Sequence, residues 1–183
     1  MRRFALCLVL LWSISTSLTA CGGYHTPPPS ASELLTVMQS AMTDTAQPLP
    51  DGLIYTRSAD PSSPAYLTDI RFSALSGEAA RGLLDGETEQ DGVPAVGDAA
   101  MFLSIAPYPC ELAVFRCSDI RTASTVAALC RGRLDTVVRG YAGSEWQGVA
   151  EGGRVAVEGC YVVLVIAEDA EAVAERVFDR IKF

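Results

Sequence analysis

The chain has only one histidine among its 183 residues, His25, in a proline-rich stretch near the start. A Ser-His-Asp or Cys-His site needs a histidine base within hydrogen-bond reach of its nucleophile, so that chemistry has one poorly placed candidate. No CxxC pair occurs either, which leaves zinc-type ligand sets without their donors. Gly132, Gly140, Gly143 and Gly148 lack both the spacing and the strand-to-helix setting of a phosphate-cradling loop. Basic charge is scarce: 14 Lys and Arg face 22 Asp and Glu, for a formal net charge of −8. That balance speaks against a nucleic-acid partner, which wants a basic face. No long apolar run follows Ala20, so the rest of the chain offers no membrane-spanning segment. No metal and no cofactor are expected.

What is present at the start is a sorting signal. Arg2 and Arg3 precede an apolar run from Phe4 to Trp12, a softer Ser/Thr stretch, and then Leu18-Thr19-Ala20-Cys21. A basic end, an apolar core and small residues before a cut site are the parts of a secretory signal. As an uncleaved anchor, Phe4 to Ala20 falls short of the about 20 mostly apolar residues that a bilayer span needs, and its second half is polar. The Cys after the small residues resembles the lipobox of bacterial lipoproteins. That resemblance implies that the signal, residues 1–20, is cut off, that Cys21 is acylated, and that the lipid holds the mature chain on the extracytoplasmic side of a membrane. Removing residues 1–20 leaves 163, a good size for one domain, and changes the net charge to −10 because Arg2 and Arg3 are lost. So acidic a chain is repelled by anionic headgroups, and the lipid must do the anchoring.

Residues 21–31 read as a tether, in which Pro27-Pro28-Pro29 is a stiff spacer pushing the domain off the membrane. Residues 32–183 then read as a single α+β domain. Ser30 or Ser32 caps a helix to about Met42, with Leu34, Leu35, Met38 and Met42 on one stripe and Glu33 in the first turn. From Thr43 to Asp98 the sequence is rich in turn signals such as Asp51-Gly52, Asp85-Gly86 and Asp91-Gly92, with short helices expected near Tyr66–Leu75 and Glu78–Leu84. The pattern then becomes regular. Strands are expected over Ala99–Ile105 and Glu111–Cys117, separated by a Pro107-Tyr108-Pro109 turn. Asp119 caps a helix through about Arg139, with Ala123, Val126, Ala127, Cys130, Leu134, Val137 and Val138 on its apolar stripe and Gly140 ending it. A hairpin of Arg154–Val157 and Cys160–Ala167 turns at Glu158-Gly159. A last helix opened by Glu168 and Asp169 points Ala170, Val173, Ala174, Val177 and Ile181 inward.

The expected architecture is therefore two-layer α+β: a four-stranded, mostly antiparallel sheet in ββαββα order, helices on one face, and a helical or irregular N-terminal third. Two strands strain this picture. Tyr161–Ala167 and Leu112–Phe115 are apolar on both faces, so both faces want cover. Either the N-terminal helix and the 44–98 region supply it, or part of the second face is a partner surface.

Four cysteines, Cys110, Cys117, Cys130 and Cys160, remain in the folded part after Cys7 leaves and Cys21 is acylated. In an extracytoplasmic compartment they allow two disulfides in three pairings, or else they are buried thiols. A pairing of Cys110 with Cys117 is excluded if Glu111–Cys117 is a strand, since about 3.3 Å per residue puts them roughly 20 Å apart. Asp85, Glu87, Glu89 and Asp91 form an acidic cluster in a Gly-rich loop, read as a solvated turn rather than a carboxylate pair or a Ca²⁺ site. Five of the twelve mature basic residues lie between Arg116 and Arg139. Arg131 and Arg133 flank the apolar stripe of their helix, as a solvated face or as a dock for an anionic partner.

The stretch from Glu111 resembles the bacterial lipoprotein family known as domain of unknown function 4358. The likeness rests on Glu111-Leu-Ala-Val-Phe-Arg-Cys117, Arg131-Gly-Arg-Leu134, Tyr141, and Gly159-Cys-Tyr-Val-Val-Leu-Val-Ile-Ala-Glu-Asp169. The resemblance implies a lipobox, a short N-terminal helix and a strand–helix–strand–strand–helix tail, and no assigned activity. The expected function is a non-enzymatic, lipid-anchored module that binds a protein or envelope component through its sheet and the 44–98 region. The alternative is a small-ligand carrier, with a pocket between the sheet and the N-terminal segment lined by Tyr66, Phe72 and Tyr108.

Overall fold

A computed structural model of the chain describes residues 27–44, 49–57, 96–105 and 107–182. In order these form α1 (Ala31–Asp44), β1 (Gly52–Arg57), β2 (Val96–Ser104), β3 (Glu111–Cys117), α2 (Ile120–Gly140), α3 (Gln147–Glu151), β4 (Arg154–Glu158), β5 (Tyr161–Ile166) and α4 (Ala170–Ile181). The five strands make one antiparallel sheet in the order β1-β2-β3-β5-β4. The class is α+β, as expected, but the sheet has five strands rather than four. The additional strand is β1, which begins at the Gly52 read above as a turn residue. A Cβ on Gly52 would lie 2.3 Å from the Phe102 ring, so glycine is what lets β1 come alongside β2 at that point.

The expectation of helices on one face is corrected. α2 covers one face, where Met101, Ala113, Phe115, Val162, Leu164 and Ile166 meet Ala123, Val126, Ala127 and Cys130. α1 and α4 cover the other, where Leu112, Val114, Val163 and Val165 meet Leu34, Met38, Met42, Val173 and Val177. The reason is the doubly apolar character of β3 and β5. Each buried Val, Leu or Ile is worth roughly 1.5–3 kcal/mol relative to exposure, and a solvated second face would forfeit half of that. The helix–sheet–helix sandwich removes both faces from water. The N-terminal helix thus supplies cover as anticipated, with α4 beside it.

Local signals explain the element ends. Ser30 Oγ accepts the Glu33 N–H at 3.2 Å, and the Glu33 carboxylate accepts the Ser30 N–H at 2.7 Å, a reciprocal cap that starts α1 at Ala31. Asp119 accepts the Thr122 N–H at 2.8 Å and starts α2. Gly159 has φ +56°, the left-handed conformation that the two-residue turn between β4 and β5 requires at its first position. Asp169 precedes α4, also at positive φ (52°), and makes no side-chain cap bond there. The helices expected near Tyr66–Leu75 and Glu78–Leu84, like the expected signal and Cys21, lie outside the described residues.

Candidate functional site

At one end of the sheet, three polar side chains interrupt apolar strands and fall into a single cross-strand row. Asp98 on β2 is opposite Arg116 on β3, and Arg116 is opposite Tyr161 on β5. All three turn toward the incoming N-terminal segment. Asp98 Oδ2 accepts the Ala31 N–H at 3.1 Å and lies 3.2 Å from Arg116 Nε. Arg116 Nη1 donates to the Pro28 carbonyl at 3.5 Å, and the Tyr161 hydroxyl donates to the Pro29 carbonyl at 2.7 Å. These are backbone groups that helix hydrogen bonding leaves orphaned, together with proline carbonyls that no ladder uses. The row is a clamp on the segment that enters α1, and it holds Pro28 and Pro29, of the stretch read above as a stiff spacer, against the domain.

The electrostatics of the clamp are set by burial. Asp98 is 4% exposed, and burial pushes its carboxyl above the usual carboxylate range. The Ala31 N–H and the Arg116 charge oppose that rise without cancelling it. A carboxylate at the first turn of α1 is also favourably placed against the helix dipole. Burial raises the Tyr161 hydroxyl, too, with Arg116 acting the other way. Nothing in this arrangement resembles a nucleophile with its base. Its chemistry is positional, fixing where and at what angle the N-terminal segment enters the fold.

The residues singled out from the sequence are distributed differently. Arg133 and Arg131 do not form a joint dock. Arg133 makes a two-bond ion pair with Glu111, Nε to Oε2 at 2.9 Å and Nη2 to Oε1, so its charge is already matched. Arg131 is exposed on α2. Cys110, Cys117, Cys130 and Cys160 are all free thiols, the first three buried. Cys110 lies in the α1/α4 core, its Sγ 3.8 Å from Met42 Sδ, whereas Cys117 and Cys130 lie in the α2 core across the sheet. A two-disulfide framework does not fit that division. His25 and the Asp85, Glu87, Glu89 and Asp91 cluster lie outside the described residues, as do Tyr66 and Phe72. Tyr108 sits edge-on to Trp146, ring centroids 5.0 Å apart. The space between α1 and the sheet is filled by Leu34, Met38 and Met42, each at most 1% exposed, so the ligand pocket expected there is absent among the described residues.

Shallow hollows lie on the surface, among them two beside α1 and α4. One of about 400 Å³ runs between α1 and α4, lined by Val37, Ser40, Ala41, Asp44, Arg176 and Asp179 among others. Another, of about 540 Å³, lies beside the clamp, lined by Pro27, Pro28, Pro29, Glu33, Arg180, Ile181 and Lys182. Among the described residues no group of His, Cys, Asp and Glu is arranged to hold a metal ion, and no helix is long and apolar enough to cross a membrane.

The polar row could have been noticed as three polar intrusions, Asp98, Arg116 and Tyr161, into strands that are otherwise apolar. Their convergence on the N-terminal segment depends on strand order, which no local pattern encodes. No family model, curated protein or solved structure matches the chain.

Proposed function

We propose that this protein is a lipid-anchored extracytoplasmic lipoprotein, acylated on Cys21, whose folded part is a non-enzymatic module that binds a protein or envelope component. Membership of the uncharacterised lipoprotein family named above belongs to the same proposal. The observation that carries it is the clamp. Arg116 and Tyr161 hold the carbonyls of Pro28 and Pro29, seven and eight residues beyond Cys21. At no more than about 3.6 Å per residue, Cys21 stays within roughly 25–30 Å of the sheet. A protein that needed only to be membrane-bound could use a loose linker. One that fixes its tether presents a chosen face at a chosen height.

The binding surface is not the second face of the sheet, because α1 and α4 cover it. Exposed apolar side chains lie instead at the β1 edge, where Leu53, Ile54 and Ile105 are each at least half exposed, Leu53 and Ile54 on opposite faces of the strand. Ile105 N donates to the Asp51 carbonyl at 3.0 Å, which ties the end of β2 to the start of β1. β1 belongs to the 44–98 region expected to carry the contact.

Metabolic labelling with a fatty acid, comparing wild type with Cys21→Ser, tests the anchor. Label in wild type alone supports it, and label in both overturns it. In-cell cross-linking on the native membrane tests the module. Enrichment of one envelope protein by the anchored form, lost on Leu53→Asp with Ile54→Asp, is the expected result.

A further inference from the structure

Cys117 and Cys160 stand one position beyond the last pair of the β3–β5 ladder. The register pairs Phe115 with Val162 and Arg116 with Tyr161, and the next pair in sequence is Cys117 with Cys160. The Cys117 N–H donates to the Cys160 carbonyl at 2.8 Å. In a hydrogen-bonded antiparallel pair the Cα atoms stand about 5.5 Å apart, near the centre of the roughly 4.4–6.8 Å range that disulfides span. Cys117 is in the α2 core with Phe115, and Cys160, at the turn just before β5, is close enough for its sulfur to act on the Cys117 thiol.

The other two thiols are badly placed to compete. Cys110 is in the opposite core, against Met42. Cys130 shares the α2 core with Cys117 and its thiol feels that of Cys117, but it stands on the facing helix and has no backbone pairing with β3, whereas Cys160 is hydrogen-bonded to Cys117. Burial pushes the Cys117 thiol up to about 12, and the nearby Cys160 adds to the rise.

We propose that Cys117 and Cys160 close a cross-strand disulfide when the folded chain meets a disulfide oxidant. The proposal stands on the β3–β5 register and not on the lipoprotein reading. Cys160 is half-buried at the β4–β5 turn and is the accessible partner; Cys117 is buried. Cys160 Sγ, having lost its proton to water, attacks the oxidant RS–SR and displaces one RS⁻, forming a mixed disulfide. Cys117 Sγ then loses its proton and attacks Cys160 Sγ, releasing the second RS⁻. Both thiolates take up protons, so two cysteine thiols and one RSSR become one protein disulfide and two RSH. The new bond joins two strands that belong to different supersecondary units, the β2–β3 pair and the β4–β5 hairpin.

The test uses the full chain, exposed to oxidised glutathione, alkylated without reductant and cut with trypsin. Cleavage after Arg116, Arg121, Arg131, Arg154 and Arg176 puts Cys117 in peptide 117–121, Cys130 in 122–131 and Cys160 in 155–176, with Cys110 in a fourth peptide. The expected product is 117–121 linked to 155–176, lost on reduction. It should persist in Cys130→Ser and disappear in Cys160→Ser, each variant first checked for a wild-type circular dichroism spectrum. Cys117 linked to Cys130, or both Cys117 and Cys160 recovered unlinked after oxidation, would overturn the proposal.

Discussion

Arg116 Nε stands 3.2 Å from Asp98 Oδ2, and the same oxygen accepts the N–H of Ala31 at 3.1 Å, so one carboxylate joins two strands to the first residue of α1. Burial raises the Asp98 pKa above its ordinary 3.8. A raised carboxyl favours the fold most when protonated. Its contribution is full below about pH 3.8 and is lost as pH rises through the folded value. Asp98→Asn keeps an acceptor for Ala31 and removes that pH dependence. The melting temperature of wild type relative to Asp98→Asn should therefore fall between pH 3 and pH 6; parallel profiles would refute the assignment. Asp98→Ala strands Arg116 and the Ala31 N–H and should destabilise by about 1–3 kcal/mol at neutral pH.

The sandwich predicts that neither face of the sheet is dispensable. Leu112 packs under α1 and α4, Leu164 packs under α2, and both are fully buried. Leu112→Ala and Leu164→Ala should each cost about 2–5 kcal/mol in denaturant unfolding. A sheet with one wet face would give a large cost for one of them and almost none for the other.

The region from Glu111 onward was legible because its periods are strong. β3 matches the expected Glu111–Cys117, the apolar run of β5 falls where it was expected, and the stripe on α2 is buried along most of its length. What escaped was long-range. β1 is a short strand opened by a glycine, and its pairing with β2 crosses the whole 58–95 stretch, so no local pattern announces it. The layer count escaped for a related reason. Doubly apolar strands state that both faces need cover, but which helix supplies it depends on how the connections pass over the sheet. The clamp was illegible because Asp98, Arg116 and Tyr161 come from three different strands and meet only once those strands are ordered.

Arg131 and Arg133 were equivalent in the sequence and are not equivalent in the fold. The Arg133 side chain is 18% exposed and its Glu111 partner 10%, while Arg131 points to water. Reversing Arg133 to Glu places two carboxylates together in a partly buried setting and should destabilise on the order of 3 kcal/mol. Arg131→Glu should stay within about 0.5 kcal/mol of wild type. Equal effects of the two reversals on thermal melting would mean that the Glu111 pair contributes nothing.

Asp119 should impose a pH dependence of the opposite sign to that of Asp98. Its carboxylate accepts the Thr122 N–H at 2.8 Å, and that bond holds its pKa below the ordinary 3.8. A lowered carboxyl stabilises the fold above the unfolded value, and the gain is lost as pH falls through the folded one. Asp119→Ala should therefore melt below wild type at pH 7, with the gap closing on acidification below about pH 4 as the wild-type cap takes up its proton. Asp119→Ser retains a hydroxyl acceptor for Thr122 and has no charge to titrate, so its own melting profile lacks this acid-side step. If the alanine gap were as wide at pH 3 as at pH 7, the start of α2 would rest on packing and not on an ionised cap.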